Sequence, residues 1–174
     1  MKKKVLGLSF GRKMGNTDVM IKTALMACEK AGCDVKFIHV DDLDIKPCTG
    51  CISCVVGMTT GNGKGGCPIK DDFKILDEAL MACDAVIVGS PTYVLSPTGR
   101  FKTVCDRIGP SHDITFRKAT YEEGKAAGKP AEKLPDERSF KKRVGALVSV
   151  GGAMTKNWLA FMLPTMYEFT MSMG

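Results

Sequence analysis

The sequence predicts an α/β protein built on a doubly wound parallel sheet. Residues 85–90 form a continuous apolar run, which is typical of a parallel strand covered on both faces. Residues 4–9 form a second apolar run that leads through a polar, glycine-containing turn into a helical pattern. A strand, a polar loop and a helix in this order form the usual opening of a doubly wound fold.

The remaining elements alternate along the chain as that fold requires. Apolar residues recur at helical spacing after Thr17, and Gly32 ends the pattern. Pro164 lies inside the last apolar stretch, so we expect it to bend or interrupt a helix there. In chain order the predicted elements are strand 4–9, helix 17–31, strand 33–40, helix 71–83, strand 85–90, helix 98–108, strand 143–150 and helix 155–171.

Two long segments interrupt this alternation. Residues 44–69 hold a cysteine-rich loop after the second strand, for which no regular structure is predicted. Residues 109–142 form a long excursion before the fourth strand, with a helix predicted around 120–127. We expect both to belong to a single domain over residues 1–174, because a chain of this length with 44% hydrophobic residues can bury one core.

The charge and hydropathy of the chain limit its partners. The net charge of +6 is modest and the Lys and Arg residues are scattered, so nucleic-acid binding is not expected. No apolar run is long enough for a bilayer span or a signal peptide, which predicts a cytoplasmic protein without membrane contact. A mildly positive surface suits an anionic cofactor or an acidic redox donor such as ferredoxin.

Four of the eight cysteines lie in the loop, at Cys48, Cys51, Cys54 and Cys67. The first three are each separated by two residues and can wrap one face of a compact metal centre, while Cys67, followed by Pro68, can close the other face. A 4Fe-4S cluster requires soft thiolate ligands in such an arrangement. The spacing therefore favours a cluster, although spacing alone does not identify a metal.

Two other interpretations of the cysteines remain open. Zinc sites more often use two separated Cys-x2-Cys hairpins than a fused triple with one remote partner. A disulfide framework requires an oxidising compartment, and nothing at the N-terminus directs the chain there. Outside the loop, His39 is expected to be structural, and small apolar packing is expected of Cys28, Cys33, Cys83 and Cys105.

Three predicted loops leave the carboxyl ends of strands, where doubly wound proteins bind their ligands. The first, residues 9–17, combines the backbone N–H groups of a helix N-terminus with the side chains of Ser9, Arg12, Asn16 and Thr17. Together these groups can hold a terminal phosphate, unless Asn16 or Thr17 only caps the helix. The loop has neither a Gly-x-Gly-x-x-Gly fingerprint nor the Lys-Ser/Thr pair of a P-loop.

The other two loops, residues 90–97 and 151–154, suit a flat ring. The second loop supplies Pro91, Thr92, Tyr93 and Val94, and the third supplies Gly151 and Gly152. A rigid turn with an aromatic residue and a pair of small glycines both allow close approach, although plain surface turns use the same residues. We expect all three loops to converge on one site, with the cysteine loop at the same edge of the sheet.

These motifs resemble those of the flavodoxin-like NADPH-dependent FMN reductases and, among them, the iron–sulfur flavoproteins of anaerobic archaea and bacteria. The resemblance covers nearly the whole chain. It is carried by the cysteine motif and by Ser9, Arg12, Gly15, Asn16, Thr17, Ser90, Pro91, Thr92, Tyr93, Gly99, Lys102, Asp106, Arg107, Gly151 and Gly152. It implies that the first loop, Gly15 included, binds the FMN phosphate and that residues 91–94 border the isoalloxazine ring. It also implies a 4Fe-4S cluster on the four cysteines and a homodimer or homotetramer.

Two features depart from the family pattern. The spacer between Cys54 and Cys67 is longer than the usual short gap. A flavodoxin-like sheet also has a fifth strand and helix, which these 174 residues do not supply. A curtailed fold, a neighbouring subunit or a longer chain would each account for that difference.

The resemblance implies a redox flavoprotein that transfers electrons between a 4Fe-4S cluster and FMN, and so couples a one-electron donor such as ferredoxin to a two-electron acceptor. No acid–base catalytic residue is expected. One alternative is an NAD(P)H-dependent FMN or quinone reductase whose cysteines hold zinc or nothing. Another is a redox-sensing binding module in which loss of the cluster reorganises residues 57–66.

Overall fold

Four parallel strands form the single sheet in the computed structural model, which describes residues 1–60, 66–152 and 156–172. The strands are β1 (Lys4–Ser9), β2 (Asp34–His39), β3 (Ala85–Pro91) and β4 (Val144–Val150). Each agrees with its predicted position to within one residue at either end. The strand order is β2-β1-β3-β4, so the order reverses between β1 and β3. The predicted doubly wound α/β fold is confirmed, with its switch point at the carboxyl ends of β1 and β3.

Helices cover both faces of the sheet. The α-helices are α1 (Asn16–Lys30), α2 (Ser53–Thr60), α3 (Phe73–Ala82), α4 (Gly99–His112), α5 (Ile114–Ala126) and α6 (Met162–Ser172). Short 3-10 helices lie at Val40–Asp42, Ala131–Lys133, Glu137–Phe140 and Lys156–Leu159. Helix α1 packs on all four strands on one face, while α3 contacts β1 and α6 contacts both β4 and α4 on the other. No helix in these described ranges is long and apolar enough to cross a membrane.

The core has two parts because side chains on a strand alternate between the two faces of a sheet. Ile21 and Leu25 of α1 pack with Val5 and Ile87 on one face. A larger cluster on the other face joins the strands to α3, α4 and α6 through residues that include Leu6, Leu8, Val86, Val88, Leu76, Phe101 and Met166. The cysteines outside the loop pack in or against these clusters, as expected: Cys28, Cys33, Cys83 and Cys105.

Helix α1 approaches the sheet closely because two strand residues lack side chains. A Cβ atom at Gly7 would lie 2.7 Å from Ile21 Cγ2, and one at Gly89 would lie 2.6 Å from Ile21 Cδ1. A side chain at either position would force Ile21 of α1 to shift, so the two glycines allow this close packing. The start of α1 is thereby held tightly against the ends of β1 and β3.

The irregular segments differ from the sequence-based expectations in two places. Residues 53–60 of the cysteine loop form α2, where the Thr59 and Thr60 hydroxyls donate to backbone carbonyls one turn earlier. In the excursion, α5 begins well before residue 120 because Asp113 caps it, accepting the Phe116 N–H at 2.9 Å. The interruption expected at Pro164 is confirmed: residues 156–159 form a 3-10 helix, and α6 begins only at Met162, so that Pro164 lies in its first turn, where backbone N–H groups have no intrahelical acceptor.

Candidate functional site

The first loop is shaped by Asp18, a buried carboxylate in the first turn of α1. Ser9 ends β1 and donates its hydroxyl hydrogen to Asp18 Oδ1. The backbone N–H of Met14 donates to Asp18 Oδ2 at 2.9 Å, and the N–H of Gly11 donates to Ser9 Oγ at 3.4 Å. One carboxylate therefore fixes both ends of the turn between β1 and α1.

The start of α1 is open to an anion. Its N-cap is Gly15, and no side chain in the described part of the chain caps it, so the alternative in which Asn16 or Thr17 is the cap is wrong. Arg12 and Asn16 are exposed at this end. Uncapped N–H groups and a neighbouring guanidinium are the groups that bind phosphate at a helix N-terminus.

Thr17 has a packing role that the sequence did not indicate. Its side chain is buried, and it occupies the space in which a Cβ atom at Gly11 or Gly89 would lie, at 2.8 and 2.9 Å respectively. The backbone N–H of Phe10 also donates to the carbonyl of Gly89 at 2.9 Å. These contacts bring the first loop against the end of β3.

His39 lies beneath the first loop and was not expected to belong to a site. It ends β2 directly opposite Ser9, and its buried Nε2 atom lies 3.5 Å from Asp18 Oδ1. That distance makes an ion pair when the imidazole is protonated. The sequence indicates that Ser9 and His39 lie at the ends of adjacent strands. It does not indicate Asp18, which contacts both, because Asp18 lies on a helix and belongs to no motif.

The second and third loops meet at Thr92. Its N–H donates to the carbonyl of Val150 at 2.7 Å, and a Cβ atom at Gly151 would lie 3.5 Å from its hydroxyl oxygen. That oxygen is buried and has no hydrogen-bond partner within residues 1–60, 66–152 and 156–172. A buried, unpartnered hydroxyl is costly unless a ligand completes it, so Thr92 marks a position where a bound group fits.

Backbone strain is concentrated in the predicted loops. The non-glycine residues with positive φ in the described ranges are Met14 (60°), Ile52 (51°), Val94 (49°) and Leu95 (64°). Val94 and Leu95 are the central residues of a tight turn closed by two hydrogen bonds between Tyr93 and Ser96. Such a turn prefers Asn and Gly, and bulky residues there are strained. Strain of this kind accumulates at binding sites.

Taken together, the structure places the predicted flavin residues at one edge of the sheet. Ser9, Arg12, Gly15, Asn16 and Thr17 surround the β1–α1 turn, Pro91, Thr92, Tyr93 and Val94 follow β3, and Gly151 and Gly152 follow β4. Residues 153 and 154 of the third loop lie outside the described residues. The space beside Gly151 is filled by Leu159, whereas nothing in the described residues lies within 4 Å of a Cβ atom placed at Gly152. The uncapped helix start fits a phosphate, and the unpartnered Thr92 hydroxyl with the open Gly152 fits a flat ring, so the site suits FMN.

The cysteine loop has a hydrogen-bonded stem. The N–H of Asp44 donates to Asp72 Oδ2 at 2.9 Å, and the N–H of Asp72 returns to the carbonyl of Asp44 at 3.0 Å. One step further, the N–H of Lys46 donates to Asp71 Oδ2 at 2.9 Å. The segment that enters the loop is thus bonded directly to the segment that leaves it.

Asp71 also pairs with Arg107 of α4, and both side chains are fully buried. Burial opposes the charge of Asp71, but hydrogen bonds from Arg107, Lys46 and Phe73 outweigh it and lower its pKa to about 2. Charge-assisted bidentate pairs of this kind are the strong class of protein hydrogen bonds. The stem is therefore anchored to the helix layer.

The four cysteines of the loop are chemically suited to a metal centre. All four are free thiols; Cys48 and Cys51 are exposed, and Cys54 and Cys67 are half-buried. Hydrogen bonds from Ser53 and then Thr49 lower the pKa of Cys51, which favours the thiolate. Burial, followed by the neighbouring charges of Cys67 and Cys51, raises the pKa of Cys54.

Cys54 lies near enough to Cys51 and Cys67 to interact with them electrostatically, but the cysteines do not form a closed cage. Within the part of the chain that the structure describes, no three Cys, His, Asp or Glu side chains converge on one metal position. Residues 61–65, between Cys54 and Cys67, lie outside that part. The donor set fits an iron–sulfur cluster, and cluster binding would require the loop to close around it, as is usual for metal sites coupled to folding.

The expectation that the cysteine loop shares the edge with the three flavin loops is correct only for its start. Arg100, near the beginning of α4, contacts Asp41 at 3.0 Å and the carbonyl of Leu43 at 3.4 Å. Arg107 contacts the carbonyl of Lys46 at 2.7 Å. The two arginines are seven positions apart on α4. The segment that enters the cysteine loop therefore runs along α4 for roughly 10 Å, away from the strand ends, before it reaches Cys48.

The sheet order, the loops at its switch point and the uncapped start of α1 define a flavodoxin-like protein. Residues 4–173 match the family NADPH-dependent FMN reductase, and the chain belongs to that family. The resemblance deduced from the sequence motifs is thus confirmed at the level of the family.

Individual relatives fall into two groups. Flavone synthase cfoJ of Aspergillus candidus is 30% identical over 178 residues, which cover 97% of this chain and 51% of that protein. An iron–sulfur flavoprotein of Archaeoglobus fulgidus is 37% identical over 99 residues, 57% of this chain and 42% of that protein. The solved structure of a flavone reductase superposes with a TM-score of 0.78 at 26% identity, over 97% of this chain and 49% of that one. The chain therefore spans about half the length of the curated relatives it matches.

Proposed function

We propose that this chain is the cofactor-binding core of an FMN-dependent oxidoreductase that also carries a 4Fe-4S cluster. The observation that carries the proposal is the convergence of three loops, two of them strained, at the switch point of the sheet. The family and the relatives called iron–sulfur flavoproteins support it. FMN accepts electrons singly or in pairs and a cluster carries one, so together they would couple a one-electron donor to a two-electron acceptor.

The residues of this chain would supply binding and orientation. Gly15 and its neighbours at the start of α1 would hold the phosphate, with Arg12 beside it. Thr92 would donate its free hydroxyl hydrogen to the ring system, and Gly152 would let the ring lie close to the backbone. Cys48, Cys51, Cys54 and Cys67 would supply the thiolates of the cluster.

The wider setting is also part of the proposal. We propose that residues 1–174 act as one domain, because the family match runs through nearly all of them. Eight free thiols suit a reducing compartment, which favours a cytoplasmic location. A homodimer or homotetramer and a ferredoxin-like donor are proposed from the resemblance, with no role for nucleic acid or a membrane.

A cluster-free reductase is the second candidate, and the flavone reductase likeness favours it. In that case the protein would reduce a flat organic acceptor with NAD(P)H, and the cysteines would hold zinc or no metal. Anaerobic purification with quantitation of FMN, iron and acid-labile sulfide separates the two. The proposal expects all three in the wild type, and loss of iron and sulfide with retention of FMN in Cys51→Ala. FMN without iron or sulfide in the wild type would favour the second candidate, and absence of FMN would refute both.

A further inference from the structure

Arg107 occupies a central position beneath the cysteine loop. Its side chain is fully buried on α4, and its guanidinium lies 4.5 Å from the centroid of the Phe73 ring. One nitrogen, Nη1, donates to Asp71 Oδ2 at 2.6 Å and to the carbonyl of Lys46 at 2.7 Å, and Nη2 donates to Asp71 Oδ1 at 3.0 Å. The planar fork of an arginine is therefore used on two targets at once.

These two targets belong to the opposite arms of the cysteine loop. Lys46 comes two residues before Cys48, and Asp71 comes four residues after Cys67. The two arms are 25 residues apart in sequence, and closing a loop of that length costs conformational entropy. A buried guanidinium that bonds both arms offsets that cost and fixes where the loop begins and ends.

Arg107 also lies near Cys67, the remote cysteine of the motif. Burial works against the charge of Arg107, but the hydrogen bond to Asp71 and the neighbouring Cys67 thiol raise its pKa. Cys67 and Asp71 also line a cavity of about 610 Å³, so there is space beside this thiol.

We propose that Arg107 is the positioning residue of the cysteine loop: through its hydrogen bonds to the Lys46 carbonyl and the Asp71 carboxylate it clamps both arms, so that Cys67 can join Cys48, Cys51 and Cys54. The inference rests on the proposed function for its second half. Its first half, the clamp, concerns the metal-free chain and stands independently. The alternative is that Arg107 only stabilises the fold as the ion-pair partner of Asp71 and does not affect the positions of the cysteines.

Two variants and one control test the clamp. Arg107→Lys keeps a charge beside Asp71 but lacks the fork, and Arg107→Gln removes the charge. Arg100→Gln is the matched control, because Arg100 lies on the same helix and also bonds a loop carbonyl, but upstream of Lys46. In the metal-free chain, amide hydrogen exchange of Asp44, Lys46 and Asp72 is expected to be at least about tenfold faster in both Arg107 variants, and close to wild type in Arg100→Gln. Unchanged exchange in both Arg107 variants would overturn the clamp.

The second half is tested after anaerobic reconstitution with iron and sulfide. Both Arg107 variants are expected to bind less iron and sulfide per chain than wild type while they keep FMN, and Arg100→Gln is expected to bind as much iron as wild type. Wild-type iron content in both Arg107 variants would overturn the inference while the proposed function stands. A wild type that binds FMN but no iron would defeat the cluster proposal, and exchange alone would then decide the clamp.

Discussion

Acid stability should depend strongly on Asp71. Its pKa of about 2 in the folded chain lies about two units below the ordinary value for an aspartate. Because the folded pKa is lowered, the stabilisation is complete above the unfolded pKa, near pH 4, and is lost as the pH falls through about 2. Each pKa unit corresponds to about 1.4 kcal/mol, so this group contributes on the order of 2 kcal/mol to the free energy of unfolding at neutral pH.

Asp71→Asn removes that contribution and leaves the charge of Arg107 buried without its carboxylate partner. We expect the variant to lose about 3 kcal/mol at pH 7, as is usual when one partner of a buried ion pair is removed. At pH 2.5 the difference from wild type should shrink by more than half. Urea unfolding followed by circular dichroism, with reductant present, measures both values.

Asp72→Asn is the matched control, because Asp72 lies beside Asp71 and accepts a single backbone hydrogen bond from Asp44. Its effect should be smaller at pH 7. A difference between wild type and Asp71→Asn that is the same at both pH values would refute the reasoning, since it would mean that the carboxylate charge does not stabilise the fold.

Two further predictions concern the second flavin loop. Thr92→Val removes an unpartnered buried hydroxyl, so the FMN-free chain should be at least as stable as wild type, which thermal unfolding measures. FMN should bind roughly fivefold more weakly because one hydrogen bond is lost, which a flavin fluorescence titration measures. Lower stability together with unchanged FMN affinity would contradict both expectations. The double substitution Val94→Asn, Leu95→Gly places residues that tolerate positive φ at the two strained positions, so the free energy of unfolding should rise by about 1 kcal/mol in urea unfolding. FMN binding should weaken because the strained turn is lost. No gain in stability would show that the turn is not strained.

The sheet and most of its helices follow from local patterns. The apolar runs of β1 and β3 are continuous because those strands are buried on both faces. The position of each run in the sequence therefore locates its strand to within one residue. Helix α2 was not predicted because it is only eight residues long and is rich in Val and Thr, whose intrinsic helix propensity is low. Pro164 indicated the break in the last apolar stretch correctly, because proline is tolerated only in the first turn of a helix.

The candidate site, like the fold, could be predicted from the sequence only in part. Loops at the ends of strands could be predicted because parallel strands bring their carboxyl ends to one edge. Asp18 and His39 could not, because their contact arises from the register of β1 against β2 and from the docking of α1. The course of the cysteine loop along α4 depends on Arg100 and Arg107, two helix residues far from the motif in sequence.

The most direct test of the central claim, that the switch-point loops hold FMN by its phosphate and ring, is a paired titration with FMN and riboflavin. The two ligands share the ring and differ in the phosphate. The uncapped start of α1 predicts that FMN binds about ten- to a hundredfold more tightly, from one or two charge-assisted hydrogen bonds. Equal affinity for the two ligands would contradict the assignment of the first loop, and binding of neither would contradict the site.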